Sequence, residues 1–108
     1  MPNRHRGEIE AEIGGARRRL VLTLGALAEL EAAFGAEDLV ALAERFESGR
    51  LKARDLIRII AAGLRGAGES VSDEEVARME IAGGAPGYAR TAANLIAATF
   101  TGEPEDGP

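Results

Sequence analysis

The residue types of this 108-residue chain that could take part in catalysis are Ser, Thr, Tyr, Asp, Glu, Lys and Arg. The chain contains no cysteine, and its single histidine, His5, stands in a polar start with no second metal-ligand candidate nearby. Thiol nucleophiles and cysteine-ligated metals are therefore excluded, and a lone histidine is far more often a surface residue than a ligand or a base. An active site needs a convergent set of groups, such as paired carboxylates or a nucleophile with its base. No such set is recognisable, so we expect no enzymatic activity, no catalytic residue, no bound metal and no cofactor.

Two short motifs resemble ligand-binding sequences, but local structure explains both of them. Gly63–Gly68 is as rich in glycine as a phosphate-binding loop, yet it follows a helical pattern and lacks the Lys-Ser/Thr of a P-loop. Ser72–Glu75, which reads Ser-Asp-Glu-Glu, offers carboxylates for Mg²⁺, but these residues also form a capping box at a helix start. We interpret the first motif as a helix exit and the second as a helix cap.

The most distinctive candidate surface is basic. Arg54, Arg58 and Arg65 recur at spacings of four and seven residues and therefore share one face of a predicted helix, opposite its apolar face. A solvated face explains such a stripe without any partner, whereas the enrichment of arginine at interfaces favours a partner-binding face. We take these three arginines as the candidate partner-binding face.

A nucleic-acid target for the same face is less consistent with the charge of the chain. Two helical patterns joined by Ser48-Gly49-Arg50 are compatible with a helix-turn-helix, whose second helix would enter a major groove. The net charge of −5 opposes the phosphate contacts that such binding requires. The basic stretch Arg45–Arg65 is followed by an acidic C-terminal half, so the two can pair within one chain or between copies in a homo-oligomer.

The first element that must position these residues is a predicted β-hairpin. Gly7–Ile13 alternates apolar and acidic residues, Gly14-Gly15 suits a two-residue turn, and Ala16–Leu24 follows as the second strand. The expected register pairs Ile9 with Leu20, Glu10 with Arg19 and Glu12 with Arg17. The run Arg17-Arg18-Arg19 could bind phosphate, but the match of charges favours cross-strand partners of the glutamates.

Helical patterns occupy most of the remaining chain. Thr23–Gly35 begins with a capping residue and ends with a glycine, and we expect it to be the helix on which the other elements are organised. Its apolar face contains Leu24, Leu27, Leu30 and Phe34. Further helices are predicted from Ala36-Glu37-Asp38 to near Ser48-Gly49, and over Leu51–Gly63, Ser72–Gly83 and Ala85–Phe100.

The predicted fold is α+β and mainly helical, with the N-terminal hairpin packed against a bundle of four to five short helices. Residues 1–100 are expected to form a single domain, and the Gly/Pro/acidic residues 101–108 a disordered tail. The start lacks an apolar run, and the longest apolar stretch, Leu56–Leu64, is too short to span a bilayer. We therefore expect a cytoplasmic protein with no membrane partner.

The order of the helical residues resembles a known family. Thr23–Gly35, continued by Asp38–Phe46 and Gly49–Gly68, is similar to the small tail protein of the gene transfer agent family, which is grouped with phage tail assembly chaperones. The resemblance extends roughly from Asn3 to Phe100 and involves no catalytic motif. It implies a non-enzymatic chaperone of a gene transfer agent or prophage, which binds the tape measure protein before tail tube protein assembles around it.

Two alternatives remain open. The chain could be a structural tail component, such as a tube or tail-terminus subunit, and its presence in purified particles would favour that interpretation. Tube subunits generally need a sheet large enough to line a ring, and only one hairpin is predicted, which favours the chaperone. A small DNA-binding regulator is the third possibility.

Overall fold

A computed structural model describes residues 7–34, 44 and 52–101 of the chain. The chain enters as two antiparallel strands, β1 (Glu8–Ile13) and β2 (Ala16–Val21). The helices of the described ranges are α1 (Leu24–Phe34), α2 (Ala53–Gly66), α3 (Asp73–Ala77) and α4 (Gly84–Thr101). The predicted α+β, mainly helical fold is confirmed. The helix predicted from Ala36–Asp38 to near Ser48 lies outside the described residues except for Glu44, as do His5 and nearly all of the predicted tail.

The hairpin has the predicted register. Ile9 lies opposite Leu20, Glu10 opposite Arg19 and Glu12 opposite Arg17, around a turn in which Gly14 and Gly15 have φ of 65° and 81°. Positive φ at both turn positions is the conformation that glycine adopts without strain. The apolar partners of this register face the core, where Ile13 and Leu20 are fully buried.

The second strand ends earlier than its pattern predicts, at Val21 instead of Leu24. Thr23 already belongs to the next element, because its Oγ1 accepts a hydrogen bond from the backbone N–H of Ala26 at 3.1 Å. This is the capping role expected of the threonine at a helix start. Strand β2 therefore ends two residues before Thr23, the residue that caps α1.

Arg18 corrects the interpretation of the three consecutive arginines. It projects to the same side as Ile13 and Leu20, because alternate residues of a strand point to opposite faces. Its Nε donates to the carbonyl of Ile13 at 2.7 Å, and its Nη1 donates to Glu69 Oε1 at 2.6 Å. The partner of Arg18 thus comes from the segment after α2 and not from a glutamate of β1.

The helix at the centre of the molecule is α2, not α1 as the sequence pattern suggested. It contacts β2, α1, α3 and α4, and its run Ile59–Leu64 is buried throughout. Six consecutive buried residues cover every direction around a helix, because successive residues are rotated by about 100°. A Cβ on Gly63 would lie 2.7 Å from Leu95 Cδ2 and 3.2 Å from Leu20 Cβ, so the lack of a side chain at Gly63 lets Leu95 and Leu20 pack closely against α2.

Leu24 is the clearest departure from the predicted apolar face of α1. Leu27 and Leu30 are buried as expected, whereas Leu24 is 83% exposed. The helix turns its Ala26–Leu30 side to the core, and the direction of Leu24 lies about 60° from that of the nearest of these buried side chains. Leu24 therefore stands on the outer surface at the first turn of α1.

The capping box at Ser72 is confirmed, but its helix is shorter than predicted. Ser72 Oγ accepts from Glu75 N at 3.1 Å, and Glu75 Oε1 accepts from Ser72 N at 2.8 Å. Helix α3 then ends at Ala77, because residues 80–82 pair with the edge of β1. Gly14 N donates to Glu80 O at 2.6 Å and Ala82 N to Glu12 O at 3.1 Å. Competition from these strand-like hydrogen bonds ends the helix.

Candidate protein-interaction site

The three arginines of the candidate face lie on α2, but the structure gives them different surroundings. Arg65, in the last turn, is half-buried and links three helical segments. Its Nη2 donates to Glu29 Oε2 of α1 at 2.7 Å, and its Nη1 donates to Asp73 Oδ1 at 3.2 Å. Nη1 also donates to the carbonyl of Val71 at 2.9 Å. The positive charge of Arg65 is therefore paired with acidic residues of the same chain.

Arg54 and Arg58 lie toward the other end of α2. Arg54 is exposed and Arg58 is half-buried, and neither forms an ion pair with another residue in the described ranges. The first turn is held by Asp55, a buried carboxylate whose Oδ2 accepts from Lys52 N at 2.8 Å. Among the residues that the structure describes, the predicted face thus divides into an internally paired cation, Arg65, and a free basic part, Arg54 and Arg58.

Beside this free part is an apolar groove between the start of α2, the end of α3 and the start of α4. Its volume is about 130 Å³, and apolar atoms form most of its surface. It is lined by Ala53, Leu56, Ile57, Ala77, Ala85 and Tyr88. Such a hollow suits one small apolar side chain and offers almost no polar group to orient a substrate.

Tyr88 forms one wall of the groove, and its hydroxyl is directed into the protein. The hydroxyl donates a hydrogen bond to the carbonyl of Met79 at 2.7 Å. The carbonyl of Val76, at 3.0 Å, is a second acceptor within hydrogen-bond distance of the same hydroxyl. Burial raises the pKa of Tyr88 above its ordinary value of 10.0, because the phenolate would lose its hydration. The ring of Tyr88 therefore forms a fixed apolar wall of the groove, and its hydroxyl hydrogen-bonds backbone carbonyls at the end of α3 and in the turn that follows.

No group of three His, Cys, Asp or Glu side chains in residues 7–34, 44 and 52–101 is arranged to hold a metal ion. As described above, the carboxylate of Asp73 forms an ion pair with Arg65, and that of Glu75 takes part in the capping box of α3. Within the same ranges, no helix is both long and apolar enough to cross a membrane.

Sequence reasoning missed the groove and the exposed leucine. The groove combines residues from three helices separated by up to 35 positions in the chain, so no local spacing indicates it. The exposure of Leu24 depends on which side of α1 meets α2, and the apolar periodicity of α1 did not distinguish the alternatives. The only sequence signal near the groove is the concentration of Lys52, Arg54 and Arg58 around Ala53–Ile57.

Comparison with known proteins identifies a family across nearly the whole chain. The family model described as "Phage tail tube protein, GTA-gp10" matches residues 6–102. Comparisons with curated proteins and with solved structures yield no significant match. The match agrees with the gene transfer agent tail resemblance of the helical sequence, and it does not single out binding of a tape measure protein. The chain belongs to the phage tail tube protein family of gene transfer agents.

Proposed function

We propose that this chain is a non-enzymatic structural component of a phage-like tail, a tube or tail-terminus subunit of a gene transfer agent or prophage particle. The observation that carries the proposal is the match of residues 6–102 to a tail tube protein family. A match of this length includes the hairpin and all four described helices, so the whole architecture belongs to the tail family and not a local motif.

The surface of the described residues is consistent with a role in assembly. It offers an apolar groove, a free basic edge and an exposed leucine, and these are features that bind other proteins. The partners are further copies of this chain or other tail proteins. The protein would be made in the bacterial cytoplasm and incorporated into the particle there.

The test is the protein content of purified particles. A particle component is expected to copurify through a density gradient and to appear by quantitative mass spectrometry in a constant ratio to the other tail proteins. Deletion of its gene should leave particles with defective tails, and the gene supplied on a plasmid should restore them. Absence of the protein from tails that have assembled normally would contradict the proposal.

A tail assembly chaperone is the second candidate, and one observation favours it. The strands of the described ranges form only a two-stranded hairpin, whereas a tube wall generally requires a larger sheet. Co-expression with the tape measure protein of the same operon distinguishes the two roles. A soluble complex with many copies of this chain per tape measure, together with its absence from mature particles, would favour the chaperone.

A further inference from the structure

Leu24 and the groove are two unoccupied apolar features at opposite ends of α2. The groove includes Ala53, Leu56 and Ile57, in the first turns of this helix. Leu24 lies at the other end, because a Cβ on Gly66, the last residue of α2, would lie 3.5 Å from the backbone N of Thr23. A helix of 14 residues is about 20 Å long. Leu24 therefore cannot reach the groove of its own chain.

The two surfaces have complementary charges. Leu24 shares its face of α1 with Ala28 and Glu31, four and seven residues later, and α1 contains no basic residue. Glu31 forms no ion pair with any residue of the described ranges. The α2 side of the groove is basic, since Lys52 and Arg54 adjoin Ala53 and Arg58 follows Ile57. The α3 side is mixed in charge, since exposed Arg78 adjoins Ala77 while Glu74 and Glu80 are acidic, so the edge at α2 is the consistently positive one.

We infer that Leu24 of one copy inserts into the groove of a second copy, with Glu31 beside the basic edge at Arg54. The inference rests on the proposed function in one respect, that a tail component works as an assembly of copies. The contact joins different surfaces of the two copies, so each bound copy still offers a free groove and a free leucine. Such head-to-tail contacts form rings when the rotation closes and filaments when it does not.

The groove and the leucine agree in size and chemistry. A cavity of about 130 Å³ accepts a branched aliphatic side chain and has too little room for a helix. The 83% exposure of Leu24 means that most of its apolar surface is still available for burial on binding. A second copy is therefore favoured over an unrelated partner, because this chain itself carries both halves of the contact.

The first test is self-association of the full chain, measured by sedimentation velocity over a series of protein concentrations. Leu24→Asp should weaken self-association by about tenfold or more, since a central apolar anchor is removed and an acid is placed in the groove. Asn94→Asp is the matched control, because Asn94 is exposed on the opposite side of α4 from Ala85 and gains the same charge. The control should associate like the unmodified chain.

A mixing experiment tests the head-to-tail geometry. Ala85→Trp fills the groove from an exposed position and leaves Leu24 intact, whereas Leu24→Asp leaves the groove intact. Neither variant should form oligomers alone, but their mixture should form a 1:1 complex that does not grow. A mixture that stays monomeric, or an Ala85→Trp protein that oligomerises normally, would overturn the inference.

A charge exchange tests the predicted orientation. Glu31→Arg and Arg54→Glu should each weaken self-association severalfold, and the chain with both substitutions should recover it. Circular dichroism on each variant checks that the fold is retained, which is expected because none of these positions is buried. A double variant that associates no better than the single ones would contradict the pairing of Glu31 with Arg54.

The particle experiment separates this inference from the proposed function. If Leu24→Asp is incorporated into tails normally, the head-to-tail contact is wrong and the tail role stands. If the chain self-associates as described and yet is absent from tails, the contact stands and the structural role is wrong. A chain that is monomeric at every concentration would overturn the contact alone.

Discussion

The two ends of α2 show opposite uses of the same residue types. At the C-terminal end, Arg65 pairs with Glu29 and Asp73, and Gly66 lies against the backbone of β2. At the N-terminal end, Arg54 has no ion-pair partner in the described ranges and adjoins an open groove. The C-terminal end of α2 is packed and ion-paired within the fold, whereas Arg54 and the groove at its N-terminal end lie at the surface. A basic stripe on a helix therefore has to be judged residue by residue.

The largest expected effect is at the built-in end. Gly66→Ala places a Cβ on the carbonyl oxygen of Val21, and this backbone has little freedom to move. We expect a loss of about 3 kcal/mol in the free energy of unfolding, the upper part of the usual range for overpacking. Urea denaturation measures it. Gly25→Ala in α1 is the control, because its Cβ would have only Thr23 Oγ1 at 3.8 Å, and it should stabilise by about 0.5–1 kcal/mol.

The next effect compares the two ends directly. Arg65→Met retains the aliphatic stem but removes the hydrogen bond to Val71 O and both ion pairs. Because the ion pairs are partly exposed, we expect them to add little to the hydrogen bond, and a total loss of about 1–2 kcal/mol. Thermal and urea unfolding both report it. An effect no larger than that of Arg54→Met would remove the distinction between the two ends.

Tyr88, in the wall of the groove at the N-terminal end of α2, is expected to make the stability of the protein depend on pH. Its pKa in the folded protein is above 10.0, so the unfolded chain loses this proton first as the pH rises. Stability should therefore be unaffected by this group below about pH 10 and should fall above it. Tyr88→Phe should cost about 1 kcal/mol at pH 7 through the lost hydrogen bond, and it should lose less stability than the unmodified chain between pH 9 and pH 11. Parallel pH curves for the two proteins would contradict the assignment.

The smallest effect on stability is expected at the free end. Arg54→Met should change the free energy of unfolding by less than about 0.5 kcal/mol, because the side chain is exposed and unpaired within the described ranges. The same substitution should weaken self-association, since it removes the proposed partner of Glu31. Unfolding and sedimentation measured on one preparation distinguish a folding role from a binding role. A large loss of stability would show that the free end is part of the fold.

Local features of the fold could be predicted from the sequence. The register of the hairpin follows from its alternating residues and its Gly-Gly turn, and the cap at Ser72 follows from four adjacent residues. These features depend on atoms a few residues apart, so the chain specifies them without knowledge of the tertiary structure. The three arginines of the candidate face lie on one helix, α2, as predicted. That this face binds a partner stays a prediction.

Long-range features could not be predicted. The early end of α3 and the partner of Arg18 depend on contacts between residues more than 50 positions apart. The central position of α2 depends on its contacts with β2, α1, α3 and α4. The groove and the exposure of Leu24 also depend on how the helices are packed. Apolar periodicity shows that a helix has a buried side, but not which neighbour covers it or how many sides are covered.

The pairing of residues 80–82 with β1 has a consequence for the newly made protein. A strand edge with open hydrogen-bonding groups is a template for aggregation, and here Glu80 and Ala82 occupy part of that edge. The segment that closes it is synthesised about 70 residues after the strand itself. Until residue 82 has left the ribosome, the hairpin of a nascent chain has this edge open to the hairpins of neighbouring chains. Slow translation through the second half of the gene would prolong that exposure, whereas in the finished chain Glu80 and Ala82 cover this part of the edge.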